Sequence, residues 1–349
     1  MMLSPEAKLG ARAAIAVIIV VGICQAFHLH HGYWAVLTTM ALISASWGES
    51  LQKAYARFGM TISGCILGYI LFAVLGHAEW LILSCLLLSI FGLAYFFVVS
   101  YAWAMFFVGL IVASMFSYLG GWTLELLWQR TYETAIGCLV AALVTGLFLP
   151  IYSRQKFTQE LPKVLASFDE ILKALISVSI HYQEPSIAEN TRRFNALFMN
   201  IRALSKDYSS AKYEMVVLMQ SSKSMGLFLH KLEISFHYLS SLASVLRALA
   251  SKPIYRYFEV ELQDLWRHLQ HQLNQIQLAL ENRPTTALDN WEDSVIRNDL
   301  RQKFFKVKQE QQFSVDEMMH LTACVYYGRM LDKTLREMAC LMVQDQSKK

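Results

Sequence analysis

Two short lines of residues carry the chemistry in this chain. Arg57, Thr61, Gly64 and Gly68 fall at i, i+4, i+7 and i+11, and Arg130, Glu133, Gly137 and Ala141 fall at i, i+3, i+7 and i+11. At 3.6 residues per turn each set makes one stripe of a helix. Each stripe offers a cation, a polar group and two small residues in otherwise apolar surroundings. A cation in a partly dehydrated site attracts a carboxylate far more strongly than it does in water. An acid beside it, Glu133, is placed to take up and release a proton. The small residues Gly64, Gly68, Gly137 and Ala141 let a neighbouring helix approach closely. Together they predict a buried seam between helices that attracts an anion, with Arg57 and Arg130 as the attracting groups.

The elements that position these residues follow from the distribution of charge. Residues 1–150 hold only five of the 31 Lys/Arg and five of the 27 Asp/Glu, and 45 residues between Glu79 and Glu125 carry no charge at all. About 20 apolar residues cross a bilayer core of roughly 30 Å. The pattern predicts an all-α protein with a six-helix transmembrane domain over 1–150 and a cytoplasmic α-helical domain over 151–349. The spans are expected near 8–27, 33–47, 56–75, 80–98, 101–119 and 131–149, with a short charged turn carrying Glu49, Lys53 and Arg57 before the third. The first span resembles a signal peptide in its basic start but is long and lacks a clear cleavage site, so it reads as a retained helix. Lys8 and Arg12, Lys53 and Arg57, then Arg154, Lys156 and Lys163 fall on alternate ends of this trace, which places both termini in the cytoplasm. Arg130 alone breaks the rule.

The second stripe repeats the first one repeat later. Tyr33-Trp34-Ala35 opens the second span and Tyr101-Ala102-Trp103-Ala104 opens the fifth. Two repeats of three helices each would be inverted relative to one another, a transporter arrangement. Within it, Trp34 or Trp103 would stack against a substrate ring, and Thr38 and Thr61 would offer hydroxyls. Plainer roles stand beside these. Arg12, Arg57 and Arg130 sit near span ends, from which arginines reach the interface. Glu133 is three residues from Arg130 and could pair with it. Thr38 and Thr39 could bond back to their own helix. Trp34, Trp47, Trp80, Trp122 and Trp128 lie near span ends, where amphipathic rings settle at the headgroup level.

The remaining half reads as helices near 156–182, 187–224, 227–250, 254–281, 286–309 and 315–344, with a break near Ser209-Ser210. Ser186 with Glu189, Ser314 with Glu317 and, more weakly, Thr286 with Asp289 fit helix capping boxes. No Gly-rich phosphate loop, metalloprotease motif or nucleophile elbow is present, so no enzyme and no cofactor is expected. The histidines His28, His30 and His31, and the pairs His230/His237 and His268/His271, lack thiol or carboxylate companions in sequence, and no metal is expected. The six cysteines have no CxxC spacing, which gives neither a disulfide framework nor a zinc site. A net charge of +4 over 349 residues gives no reason to expect nucleic acid. The basic run Arg297–Lys308 with its paired phenylalanines reads as a solvated helix face, with contact to anionic lipid or attraction of acidic substrates as the alternative.

The YWA opening, the Arg57-x3-Thr61-x2-Gly64-x3-Gly68 line and the Arg130-x2-Glu133-x3-Gly137 line ending at Pro150 resemble the fusaric-acid-resistance-like family, grouped with the aromatic acid exporters. The resemblance implies a bacterial inner-membrane exporter of small aromatic carboxylates. Many members carry two copies of a six-span unit, each followed by a cytoplasmic helical domain. One copy implies a homodimer or pairing with another half, and a periplasmic adaptor is a further possible partner beside the membrane lipids. The same layout is similar to that of plant aluminium-activated malate transporters, which are dimeric anion channels. The expected function is therefore proton-coupled export of organic acids, with a passive anion channel and a membrane-anchored helical scaffold as alternatives.

Overall fold

A computed structural model describes residues 4–29, 31–75, 79–119, 123–148, 150–181, 187–217, 223–250, 252–281, 283, 295–310 and 313–346. Among them the fold is all-α. Two compact units form, one from 1–155 with 209–219 and one from 156–208 with 220–349.

The first unit holds α1 (Pro5–Ala26), α2 (Tyr33–Leu42), α3 (Trp47–Leu75), α4 (Glu79–Val99), α5 (Tyr101–Tyr118) and α6 (Leu124–Leu147). Ser4 caps α1 by accepting from the Ala7 amide, with Pro5 in the first turn where its missing N–H is harmless. Thr123 caps α6 in the same way through Leu126. Four helices, Glu6–Ala26, Trp47–Val74, Glu79–Val99 and Tyr101–Tyr118, are long and apolar enough to cross a membrane.

The other two expected spans differ, each for a physical reason. α6 is long enough, at 24 residues, but is less apolar because it carries Arg130, Glu133 and Thr134, and all three are buried. Its polar face is turned into the helix bundle. α2 is helical over only ten residues, about 15 Å, and Ile43–Ser46 leave the helix. Non-helical backbone beside apolar helices needs internal partners, and it has them. The Ser44 amide donates to Ser50 Oγ at 3.1 Å, and Arg12 donates to the Ala45 carbonyl at 3.0 Å. The charged turn before the third span is itself helical: Glu49, Lys53 and Arg57 lie on the first turns of α3, where Glu49 and Lys53 pair at 3.1 Å.

α1 packs on α2, α4 on α5, α2 on α6, α5 on α3, and α3 on α6; α1 also packs on α6. Exchanging α1–α3 with α4–α6 turns the first five of these pairings into one another. An internal two-fold relating three-helix repeats would produce these five pairings, whereas the α1–α6 and α2–α3 packings lie outside it. The closest approach is between α3 and α5, where a Cβ on Gly64 would stand 2.1 Å from the Phe106 carbonyl oxygen and one on Gly109 would stand 2.3 Å from that of Thr61. The Gly64–Gly68 pair is therefore spent inside the chain, since Gly68 meets Ala113 of α5.

The unit also contains the last turns of α8 (Ile187–Val217), from Ser209 onward. Glu214, 1% exposed, accepts from the Gly48 and Ser153 amides at 2.7 Å each and from the Arg154 amide at 3.0 Å. One carboxylate thus satisfies orphan donors at the starts of two helices, α3 and α7 (Ser153–His181), where the helix dipoles favour negative charge.

The second unit packs α7, most of α8, α9 (Lys223–Ala250), α10 (Pro253–Tyr257), α11 (Glu259–Leu280), α12 (Val295–Glu310) and α13 (Val315–Gln346) around one apolar core. The expected break at Ser209-Ser210 does not occur; α8 is continuous. The single helix expected over 254–281 is two, divided at Phe258, which is fully buried. Ser314 and Glu317 form the predicted capping box, with Oγ accepting from the Glu317 amide at 3.2 Å and Oε2 from the Ser314 amide at 3.0 Å. The boxes at Ser186 and Thr286, with Trp122, His30 and the Arg297 side chain, lie outside the described residues.

A buried cationic seam between α3 and α6

The candidate site lies where α2, α3 and α6 meet. α6 crosses α3 antiparallel: Cys138, late in α6, reaches the carbonyl of Ala54, early in α3, at 3.7 Å. Arg130, early in α6, is close enough to interact electrostatically with Cys65, further along α3, and with Arg57. Arg57 does the same with Cys138.

Arg130 is 5% exposed, and its guanidinium carbon stands 4.4 Å from the centre of the Trp34 ring. Trp34 is equally buried, stacks on His31 at 5.5 Å and meets Phe116 of α5 edge-on at 5.5 Å. A guanidinium over a desolvated indole face is a strong cation–π geometry, so Arg130 does not reach out to an interface. Its Nε and that of Arg57 are buried without hydrogen-bond partners. Glu133 is fully buried, and its Oε1 accepts from the His31 amide at 3.2 Å. Thr38 and Thr61 are fully buried with unpartnered hydroxyls. Thr39, by contrast, bonds back to Ala35 and across to the Gly137 carbonyl. A buried polar group without a partner costs about 1–3 kcal/mol.

The small residues do what their spacing predicted. Gly137 sits against Ala35 and Thr38 of α2, and Ala141 is buried with Leu42, Ala54 and Cys138. Trp103 is not in the seam; it is half-exposed on α5 beside Phe96 and Phe106. Trp80 and Trp128 are exposed at helix starts, whereas the Trp47 indole donates to the Ala142 carbonyl at 3.1 Å. Arg12 is 1% exposed and donates to the Phe148 and Ala45 carbonyls, so it closes the end of α6 rather than facing an interface.

Sequence reasoning passed over Thr134, which is fully buried with an unpartnered hydroxyl. The signal was there. At an offset of 73 residues Arg57, Thr61, Gly64, Cys65 and Gly68 align with Arg130, Thr134, Gly137, Cys138 and Ala141, a longer repeat than the two stripes taken separately. Glu214 had no such signal.

These features define an all-α fold with several helices apolar enough to span a membrane and a buried seam that carries Arg130 and Glu133. Residues 16–144 match the model of the fusaric acid resistance protein-like family, which bears out the resemblance carried by the two arginine-led lines. The inner membrane protein YccS of Escherichia coli (strain K12) is 26% identical over 178 residues. That match covers 50% of this chain and spans about a quarter (24%) of the length of that curated relative.

Proposed function

We propose that this protein is an inner-membrane transporter that exports small aromatic carboxylic acids, works as a dimer of six-helix units and couples export to protons at Glu133. The observation that carries the reading is Arg130, buried over the Trp34 ring, on the same helix seam as the Arg57 Nε and the Thr38 and Thr61 hydroxyls, which are buried without hydrogen-bond partners. A carboxylate would occupy the guanidinium groups, with Trp34 holding that of Arg130 in place. The family match and the inner-membrane description of YccS support the location, and the alternation of Lys and Arg supports cytoplasmic termini. An adaptor on the far side would extend the route.

A passive anion channel is the second reading, favoured by the charge of the seam. Arg57, Arg130 and Glu133 leave one net positive charge, and a membrane potential negative inside drives an anion outward by about 2.3 kcal/mol per charge per 100 mV without any proton.

Flux of labelled 4-hydroxybenzoate in proteoliposomes separates the two. Flux that follows an imposed pH gradient and is lost in Glu133→Gln supports the exporter. Flux that follows voltage alone supports the channel. Flux unchanged in both Arg57→Gln and Arg130→Gln would remove the seam from the route, and no flux at all would favour a scaffold.

A further inference from the structure

Apolar helices have a default resting place for a hydroxyl, the carbonyl four residues back. In the first unit Thr39, Ser84, Ser114, Thr131 and Thr145 all take it, at 2.7–2.9 Å. Thr61 and Thr134 do not, although both are fully buried; nor does Thr38. These three threonines all lie on the seam helices, and the first two occupy equivalent places in the 73-residue repeat.

Their position follows from the helices that carry them. Thr61 is one turn beyond Arg57 on α3, and Thr134 is one turn beyond Arg130 on α6, about 6 Å in each case. The helices are antiparallel, with Cys138 of α6 at the Ala54 carbonyl of α3 and Cys65 of α3 clustered with Leu127 of α6, a register that sets the levels of Thr61 and Thr134 near the midpoint of the crossing and those of the two arginines on either side of it. The middle holds donors without charge and the flanks hold charge. Two guanidinium groups repel across such a seam, and one monoanion between them, with Glu133 ionised, brings it to neutrality.

We propose that Thr61 and Thr134 form a central station that binds one monocarboxylate, each hydroxyl donating to a carboxylate oxygen while Arg57 and Arg130 hold it from the two sides. This deepens the transport reading and rests on it for the role of the station in flux, not for binding itself. A dicarboxylate is a poor occupant, since its second charge finds no remaining cation.

The test uses the full chain in nanodiscs, with 4-hydroxybenzoate and isophthalate as probes and tryptophan fluorescence as readout. One site per chain is expected for 4-hydroxybenzoate, with isophthalate at least tenfold weaker. Thr134→Val raises the Kd about tenfold and Thr61→Val/Thr134→Val further, while Thr134→Ser and Thr131→Val bind as the parent does. Removing a hydroxyl that bonds nothing in the empty protein leaves the thermal midpoint unchanged or raised. A structural hydroxyl would lower it, and that result would overturn the proposal. So would an unchanged Kd in Thr134→Val, or isophthalate bound as tightly. Flux that survives with an unchanged Kd in Thr134→Val ends the station and spares transport; binding that depends on both threonines without any flux ends transport and spares the station.

Discussion

Arg130 and Trp34 form an enclosed cation–π contact in the first unit: a guanidinium carbon 4.4 Å from an indole centre, with both residues 5% exposed. Removing the ring removes a desolvated cation–π contact of about 2 kcal/mol. Trp34→Leu should therefore raise the apparent KM for 4-hydroxybenzoate flux by about tenfold or more, whereas Trp34→Phe, which keeps a ring face, should stay within a few-fold. Equal flux in both variants would show that Trp34 only fills space.

Glu214 should be among the costliest carboxylates in the chain to lose. It alone answers three backbone amides at the starts of α3 and α7, and hydrogen bonds to charged groups contribute about 1.5–3 kcal/mol each. Glu214→Ala is expected to lose at least about 3 kcal/mol, read as a lower denaturation midpoint in detergent, and Glu214→Gln less because an acceptor oxygen remains.

The glycines of the first unit divide by what stands beside them. Gly109→Ala would press a Cβ to 2.3 Å from the Thr61 carbonyl oxygen, which is backbone and cannot step aside. It should destabilise by about 1–3 kcal/mol or more. Gly22→Ala meets nothing within 4 Å and should be neutral or stabilising by up to about 1 kcal/mol, as an alanine restricts the unfolded chain. Melting curves of the two variants should move in opposite directions or differ by several degrees.

Thiol chemistry gives a pH-dependent check on the second unit. Cys340 is exposed, whereas Cys324 is fully buried, and burial pushes its thiol up to about 12. In folded protein at pH 8 a maleimide should therefore label Cys340 within minutes and Cys324 only after denaturation. The sign of the linkage is fixed: between its ordinary value of 9.0 and about 12 the unfolded chain loses the Cys324 proton and the folded chain keeps it. Its contribution to stability is complete below pH 9 and falls as pH rises through that window. Cys324→Ala should flatten the alkaline part of the stability curve.

The sequence by itself determined the helical class, the apolar half, the two arginine-led stripes and the small residues that let helices touch. All of these are local periodicities, and a period of 3.6 is written in neighbouring residues. It also contained the full 73-residue repeat with Thr134, which becomes visible once the stripes are laid over one another. The tertiary structure alone decided which polar groups are answered. Thr38 and Thr39 are adjacent, yet only Thr39 finds a carbonyl. Trp34 and Trp103 open similar helices, yet only Trp34 faces an arginine. Arg12 looks like an interfacial cation and instead holds two carbonyls, one of them 136 residues away. Glu214 answers Gly48 from 166 residues away. Hydrogen-bond satisfaction and burial are properties of groups brought together by folding, and no local pattern encodes which distant group will arrive.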